Sequence, residues 1–84
     1  CSGFLYALQM ADALVVAGYH RRILVVGCEV HSTGLDISTA GRDVTVLFGD
    51  GAGAVVVEAV DAAAGVGVLA VRLHAEGKHA RRLW

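Results

Sequence analysis

A helix that is apolar almost all the way round has to be covered by other protein, and residues 1–18 spell such a helix. Phe4, Leu8, Ala11 and Val15 share one face, while Leu5, Tyr6, Ala7, Leu14 and Val16 occupy the others. Only Gln9 and Asp12 interrupt the apolar surface. The spacing predicts four or five turns of helix, stopped at Gly18 because a left-handed cap needs no Cβ. The rest of the chain has little polar surface with which to cover it. Of its 84 residues, 56% are hydrophobic and only 18% are charged. A chain this short buries a modest core at best. The composition therefore predicts that much of the apolar surface meets other protein, as in an excerpt from a larger core.

After a polar bridge of His20, Arg21 and Arg22, residues 23–30 form a continuous run, Ile-Leu-Val-Val-Gly-Cys-Glu-Val. Such a run is the pattern of a central strand covered on both faces. A loop rich in Ser, Thr, Gly and Asp is expected over residues 31–42, then a short strand over 44–48. Residues 49–53, Gly-Asp-Gly-Ala-Gly, read as a tight turn between strands, with glycines at positive φ and Asp50 bonding backbone amides. Another strand follows over 54–60, a small-residue turn over 61–65, and a last extended run over 66–74 before a polar, basic tail. The order of helix, strand, loop and three strands is an α/β layer without its covers. No internal repeat or linker divides it.

Several function classes are excluded early. A formal net charge of −1 leaves no electrostatic footprint for nucleic acid or an anionic membrane. The apolar stretch over residues 62–70 is short and carries glycines, far from a membrane span. With two cysteines, no disulfide framework and no targeting peptide, a soluble, cytoplasmic protein is expected. Cys28, Glu29 and His31 are too few for a metal centre, so no metal is expected. Arg81 and Arg82 read as a solvated pair. The glycine-rich turn fits neither spacing used to cradle phosphate, and a β-branched strand follows it instead of a helix.

The chemistry lies at Cys1-Ser2-Gly3-Phe4. A thiolate at the start of a helix meets the positive end of the helix dipole and unpaired backbone N–H groups, both of which lower its pKa. Gly3 lets a substrate approach the backbone. That is what covalent catalysis needs, although a small cysteine can also simply pack at a helix start.

Three blocks taken together are more specific than any one. They are Cys-Ser-Gly-Phe-x-Tyr-Ala-Leu-x-x-Ala-Asp from Cys1, Ile-Leu-Val-Val-Gly-x-Glu from Ile23, and Val-Leu-Phe-Gly-Asp-Gly-Ala-Gly-Ala-Val from Val46. In this order and separation the chain resembles the β-ketoacyl-[acyl-carrier-protein] synthase III family of the thiolase superfamily. The resemblance runs through Leu73-His74-Ala75-Glu76-Gly77. It implies a thiolase-like, layered α-β-α-β-α fold, of which residues 1–84 are a partial domain from the N-terminal half, beginning at the nucleophile.

The resemblance further implies that Cys1 is the nucleophile, taking an acyl group from acyl-CoA and condensing it with malonyl-acyl carrier protein to start fatty-acid synthesis. Both substrates, and the acyl carrier protein as partner, follow from that family. So do a homodimer for the complete protein and the lack of a permanently bound cofactor. Arg42, six residues before Phe48, matches an arginine that contacts CoA. Here the segment from Asp36 to Arg42 is longer than the family's Asp-x-[Ser/Thr]-Asp-Arg and lacks the second acidic residue. Phe48 and Leu83 match positions near the acyl pocket; a solvated arginine and plain core packing are the competing readings. The histidine and asparagine that assist decarboxylation in the family are not matched: the chain has no asparagine, and its four histidines stand in other contexts. By itself the chain is therefore expected to be inactive. Two further readings remain open: a thiolase-fold acyltransferase or condensing enzyme of specialised metabolism, and a non-catalytic thiolase-like segment.

Overall fold

A computed structural model describes residues 1–82, a small α/β arrangement divided into two compact units. The first comprises Cys1–Gly27 with Gly53–Leu73; the second comprises Cys28–Ala52 with the described residues from His74 on. Leu83, matched above to the acyl pocket, lies outside the described residues.

The first unit begins with helix α1, Gly3–Val16. Ala, Leu, Met and Gln fill its middle, and all are strong helix formers. It stops where expected. Gly18 adopts φ +80°, its N–H donates to the Val15 carbonyl at 3.0 Å, and the Tyr19 N–H reaches back to Leu14 at 3.0 Å. This double bond pattern around a left-handed residue satisfies two carbonyls that the helix end would otherwise leave unpaired.

Strand β1 is Arg22–Glu29 and strand β2 is Gly51–Glu58, paired in a two-stranded sheet. The Ala59 N–H donates to the Arg21 carbonyl at 2.8 Å, which sets an antiparallel register with Arg22 opposite Glu58. The Arg22 guanidinium meets the Glu58 carboxylate across the strands at 2.7 Å. Both side chains are largely exposed, so the pair adds at most about 1 kcal/mol.

Helix and sheet meet on the stripe that the sequence picks out. Phe4, Leu8 and Val15 are half-buried and Ala11 is buried; Ala7, Asp12 and Leu14, which flank that stripe, are half-buried as well. On β1 the alternation is equally clear: Ile23 and Gly27 are half-buried and Val25 is buried, while Leu24, Val26 and Cys28 are exposed. A Cβ added at Gly27 would come within 3.2 Å of the Phe4 ring, so the missing side chain lets helix and strand approach. Among the described residues, only Ala11 and Val25 are fully buried. The expectation of a helix covered all round and a strand covered on both faces is thus met on one side of each element only. Tyr6, Met10, Leu24 and Val26 point outwards, uncovered.

Three local expectations are corrected. Residues 44–48 are not a strand: α2, Arg42–Thr45, is a single helical turn, continued as a turn through Leu47. Its cause is local. The Ser38 N–H donates to the Asp36 carboxylate at 2.9 Å, and the Thr45 hydroxyl donates to the Asp36 carbonyl. Gly41 lies so close to Asp36 that a Cβ there would collide with its backbone and side chain. The chain is therefore folded back before Arg42, and the Val44 and Thr45 N–H groups find the Gly41 carbonyl instead of a neighbouring strand.

The second correction concerns the glycine-rich segment. None of Gly49, Gly51 and Gly53 takes a positive φ, because β2 already starts at Gly51. The third is the stretch over residues 66–74, which joins no ladder; the sheet consists of β1 and β2. The turn before it is as expected, a short 3-10 turn, Ala62–Ala64, capped by the Asp61 carboxylate accepting from the Ala63 N–H at 3.0 Å.

Candidate functional site

Cys1 stands immediately before Ser2, the residue that begins α1, and is exposed. The first N–H bonded within the helix is that of Tyr6, which donates to the Ser2 carbonyl at 3.1 Å. The N–H groups of the first turn before it have no intrahelical acceptor by construction, and the Ser2 side chain does not cap them. No acidic residue sits in that first turn. Cys1 thus adjoins a helix end with unpaired amide donors and the positive end of the dipole, with no carboxylate on the first turn. Such an arrangement can favour a thiolate and can donate to an oxyanion that forms beside it.

The other sequence candidates lie in the second unit. Arg42 opens α2 with an exposed side chain that, among the described residues, forms no ion pair. Phe48 is half-buried, and its ring lies 4.9 Å from that of His31, tilted by 41°. His31 in turn has its Nε2 3.5 Å from the Glu29 carboxylate.

Asp50 forms the tightest contact here. Its Oδ1 accepts from the Ser32 N–H at 2.8 Å and its Oδ2 from the Ser32 hydroxyl at 2.5 Å. Asp50 does bond a backbone amide, but that of Ser32 and not one of its own turn. The hydroxyl half of the contact, and the His31–Phe48 stack beside it, escaped the sequence reading. A serine two residues after a strand run is too common a signal to single out its partner 18 positions away.

The two bonds from Ser32, the hydroxyl first and the amide second, hold the Asp50 carboxyl below its ordinary value of 3.8. Asp36 is lowered in the same way by the Ser38 hydroxyl and amide. A carboxylate with a lowered native pKa contributes stability that is complete above the unfolded value and is lost as the pH falls through the native one. The Ser32–Asp50 contact should therefore be intact above about pH 4 and open only on further acidification. Followed by NMR, the Ser32 amide resonance is expected to titrate with a midpoint below 3.8; a midpoint at or above that value would show that the two residues are not joined.

Among the described residues, no group of three or more His, Cys, Asp and Glu side chains is arranged to hold a metal ion. No helix among them is long and apolar enough to cross a membrane.

Comparison with known proteins identifies the family and several relatives of this chain. The sequence model of the family described as 3-oxoacyl-[acyl-carrier-protein (ACP)] synthase III matches residues 1–77. Beta-ketoacyl-[acyl-carrier-protein] synthase III of Sphingopyxis alaskensis is 54% identical over 84 residues, covering 100% of this chain and 26% of the relative. The protein of the same name from Novosphingobium aromaticivorans is 51% identical, covering 100% of this chain and 26% of its own length. That from Rhodospirillum rubrum is also 51% identical, over 94% of this chain and 25% of the relative. The chain thus spans about a quarter of the length of the curated relatives it matches.

Proposed function

We propose, from the premise that this chain belongs to the 3-oxoacyl-[acyl-carrier-protein] synthase III family, that it is the nucleophile segment of a condensing acyltransferase, with Cys1 as the acyl carrier. One observation carries the assignment to Cys1: its position beside the uncapped amide end of a 14-residue helix, at the head of the matched region. The Cys1 thiolate attacks the carbonyl carbon of an acyl-CoA, and the tetrahedral oxyanion is met by backbone N–H donors. The C–S bond to CoA breaks, CoA leaves as its thiolate and takes a proton from solvent, and the acyl group remains on Cys1 as a thioester. Malonyl-acyl carrier protein then loses CO₂. The carbanion equivalent so formed attacks the thioester carbonyl, giving the β-ketoacyl product on the carrier and returning the thiolate.

The chain contains no asparagine and so does not supply the asparagine of the family's decarboxylating pair. On this reading residues 1–84 belong to a thiolase-like domain of layered α-β-α-β-α form. The complete enzyme is a cytoplasmic homodimer without a permanent cofactor. The uncovered faces of α1 and β1 support the layered arrangement, because apolar surface on that scale is ordinarily covered. Arg42 is read as a CoA contact at the mouth of the site, and Phe48, with Leu83, as wall of the acyl pocket.

The test is intact-mass spectrometry of the complete enzyme after incubation with acetyl-CoA and longer acyl-CoAs, beside a Cys1→Ala variant. A gain of one acyl group that the variant lacks is the expected result. No adduct from any acyl-CoA, or an adduct that persists in Cys1→Ala, would overturn the assignment.

A further inference from the structure

The loop between β1 and β2 is long, and the strand ladder that could hold its two ends together stops at Glu29 and Gly51. Beyond that point the ends are joined by side chains. Asp50 grips the backbone and hydroxyl of Ser32 with both carboxylate oxygens, bridging 18 positions of sequence. Beside this bridge lies a second contact between the same two segments, the ring of Phe48 against that of His31 at 4.9 Å. Phe48 is two residues before Asp50, and His31 is one residue before Ser32, so the two contacts tie the same short segments at neighbouring residues. A two-pronged carboxylate bond restricts both distance and direction, whereas a tilted ring pair alone tolerates sliding. The polar contact restrains the segment that carries the Phe48 ring.

We propose that Asp50, through Ser32, is the positioning residue that holds the Phe48 ring in place and thereby sets how long an acyl chain the enzyme accepts. The inference rests on the reading of Phe48 as a wall of the acyl pocket. Asp50 touches no substrate in this role. Without its carboxylate, the loop ends regain the freedom that the bridge removes, and the ring can retreat from a longer chain.

The test is the ratio of kcat/KM for acetyl-CoA to that for hexanoyl-CoA in the complete enzyme. Asp50→Ala is expected to lower the ratio by about three- to tenfold, corresponding to the loss of bonds to a charged acceptor. Ser32→Ala, which leaves the amide bond in place, should lower it by about twofold, in the same direction. Asp50→Asn keeps one acceptor for the Ser32 amide and should fall between the wild type and Asp50→Ala. A merely structural role would depress both substrates equally and leave the ratio unmoved. Phe48→Ala separates the two layers of the argument. If it shifts the ratio while the Asp50 and Ser32 variants do not, the positioning role is overturned and the pocket reading stands. If Phe48→Ala leaves the ratio unchanged, the pocket reading itself fails. Should Asp50→Ala not fold, Ser32→Ala decides alone, since it removes a single exposed hydroxyl.

Discussion

Replacing Cys1 with serine in the complete enzyme is expected to lower condensation on the order of a thousandfold or more, with little change in melting temperature. The two atoms differ in the property that the reaction uses. A thiol is partly ionised near neutral pH and its thiolate is intrinsically nucleophilic, whereas a serine hydroxyl needs a base to take its proton. The oxygen ester that would form is also a poorer acyl donor than a thioester, so the second half-reaction suffers as well. Stability should hold because Cys1 is exposed and lies ahead of the first helical residue.

Labelling provides an internal control. Cys28 is also free and exposed, so iodoacetamide followed by peptide mapping reads two thiols in one experiment. Cys1 should alkylate faster near pH 7, and prior acylation by acyl-CoA should protect Cys1 alone. Equal rates at the two positions, or protection of Cys28, would remove the nucleophile from Cys1.

How far the sequence reaches depends on whether local or distant partners decide an element. The face of α1 that meets the sheet is the one its spacing selects, Phe4, Leu8, Ala11 and Val15, because helical period and helix-forming residues agree there. Gly18 ends α1 by its own geometry and needs no partner. The run over residues 44–48 fails for the opposite reason. Five residues, three of them β-branched (Val44, Thr45 and Val46), suit either a strand or a turn of helix, and the Asp36–Ser38 turn with the tight approach of Gly41 decides for the helix. The stretch over 66–74 has strand composition, but a strand requires a neighbour, which composition does not supply. The site divides in the same way. The helix that Cys1 precedes is legible because its pattern is local, and so is the bond from Asp50 to a backbone amide. The particular partner of Asp50, Ser32, depends on a chain reversal that no short-range pattern encodes.

Alternation along β1 turns the covering of the chain into a measurable quantity. Val25 is 3% exposed and Leu24 is 64% exposed, although they are neighbours of similar character in one strand. An aspartate at position 25 would place a carboxylate with no partner between the strand and α1. In the complete enzyme Val25→Asp is therefore expected to cost on the order of 3–5 kcal/mol in chemical denaturation, or to prevent folding. Leu24→Asp distinguishes two architectures. Were the outer face of β1 to meet water, as an antiparallel sheet permits, the substitution would change stability by no more than about 0.5 kcal/mol. The layered arrangement covers that face as well, because the run Ile-Leu-Val-Val is apolar at every position where a half-exposed strand would alternate. Leu24→Asp should then cost nearly as much as Val25→Asp. Arg22→Ala, which removes only the exposed pair with Glu58, sets the baseline at about 1 kcal/mol or less. A loss at Leu24 near that baseline would show that β1 has one covered face, and would sink the layered fold for this segment even with its family membership intact.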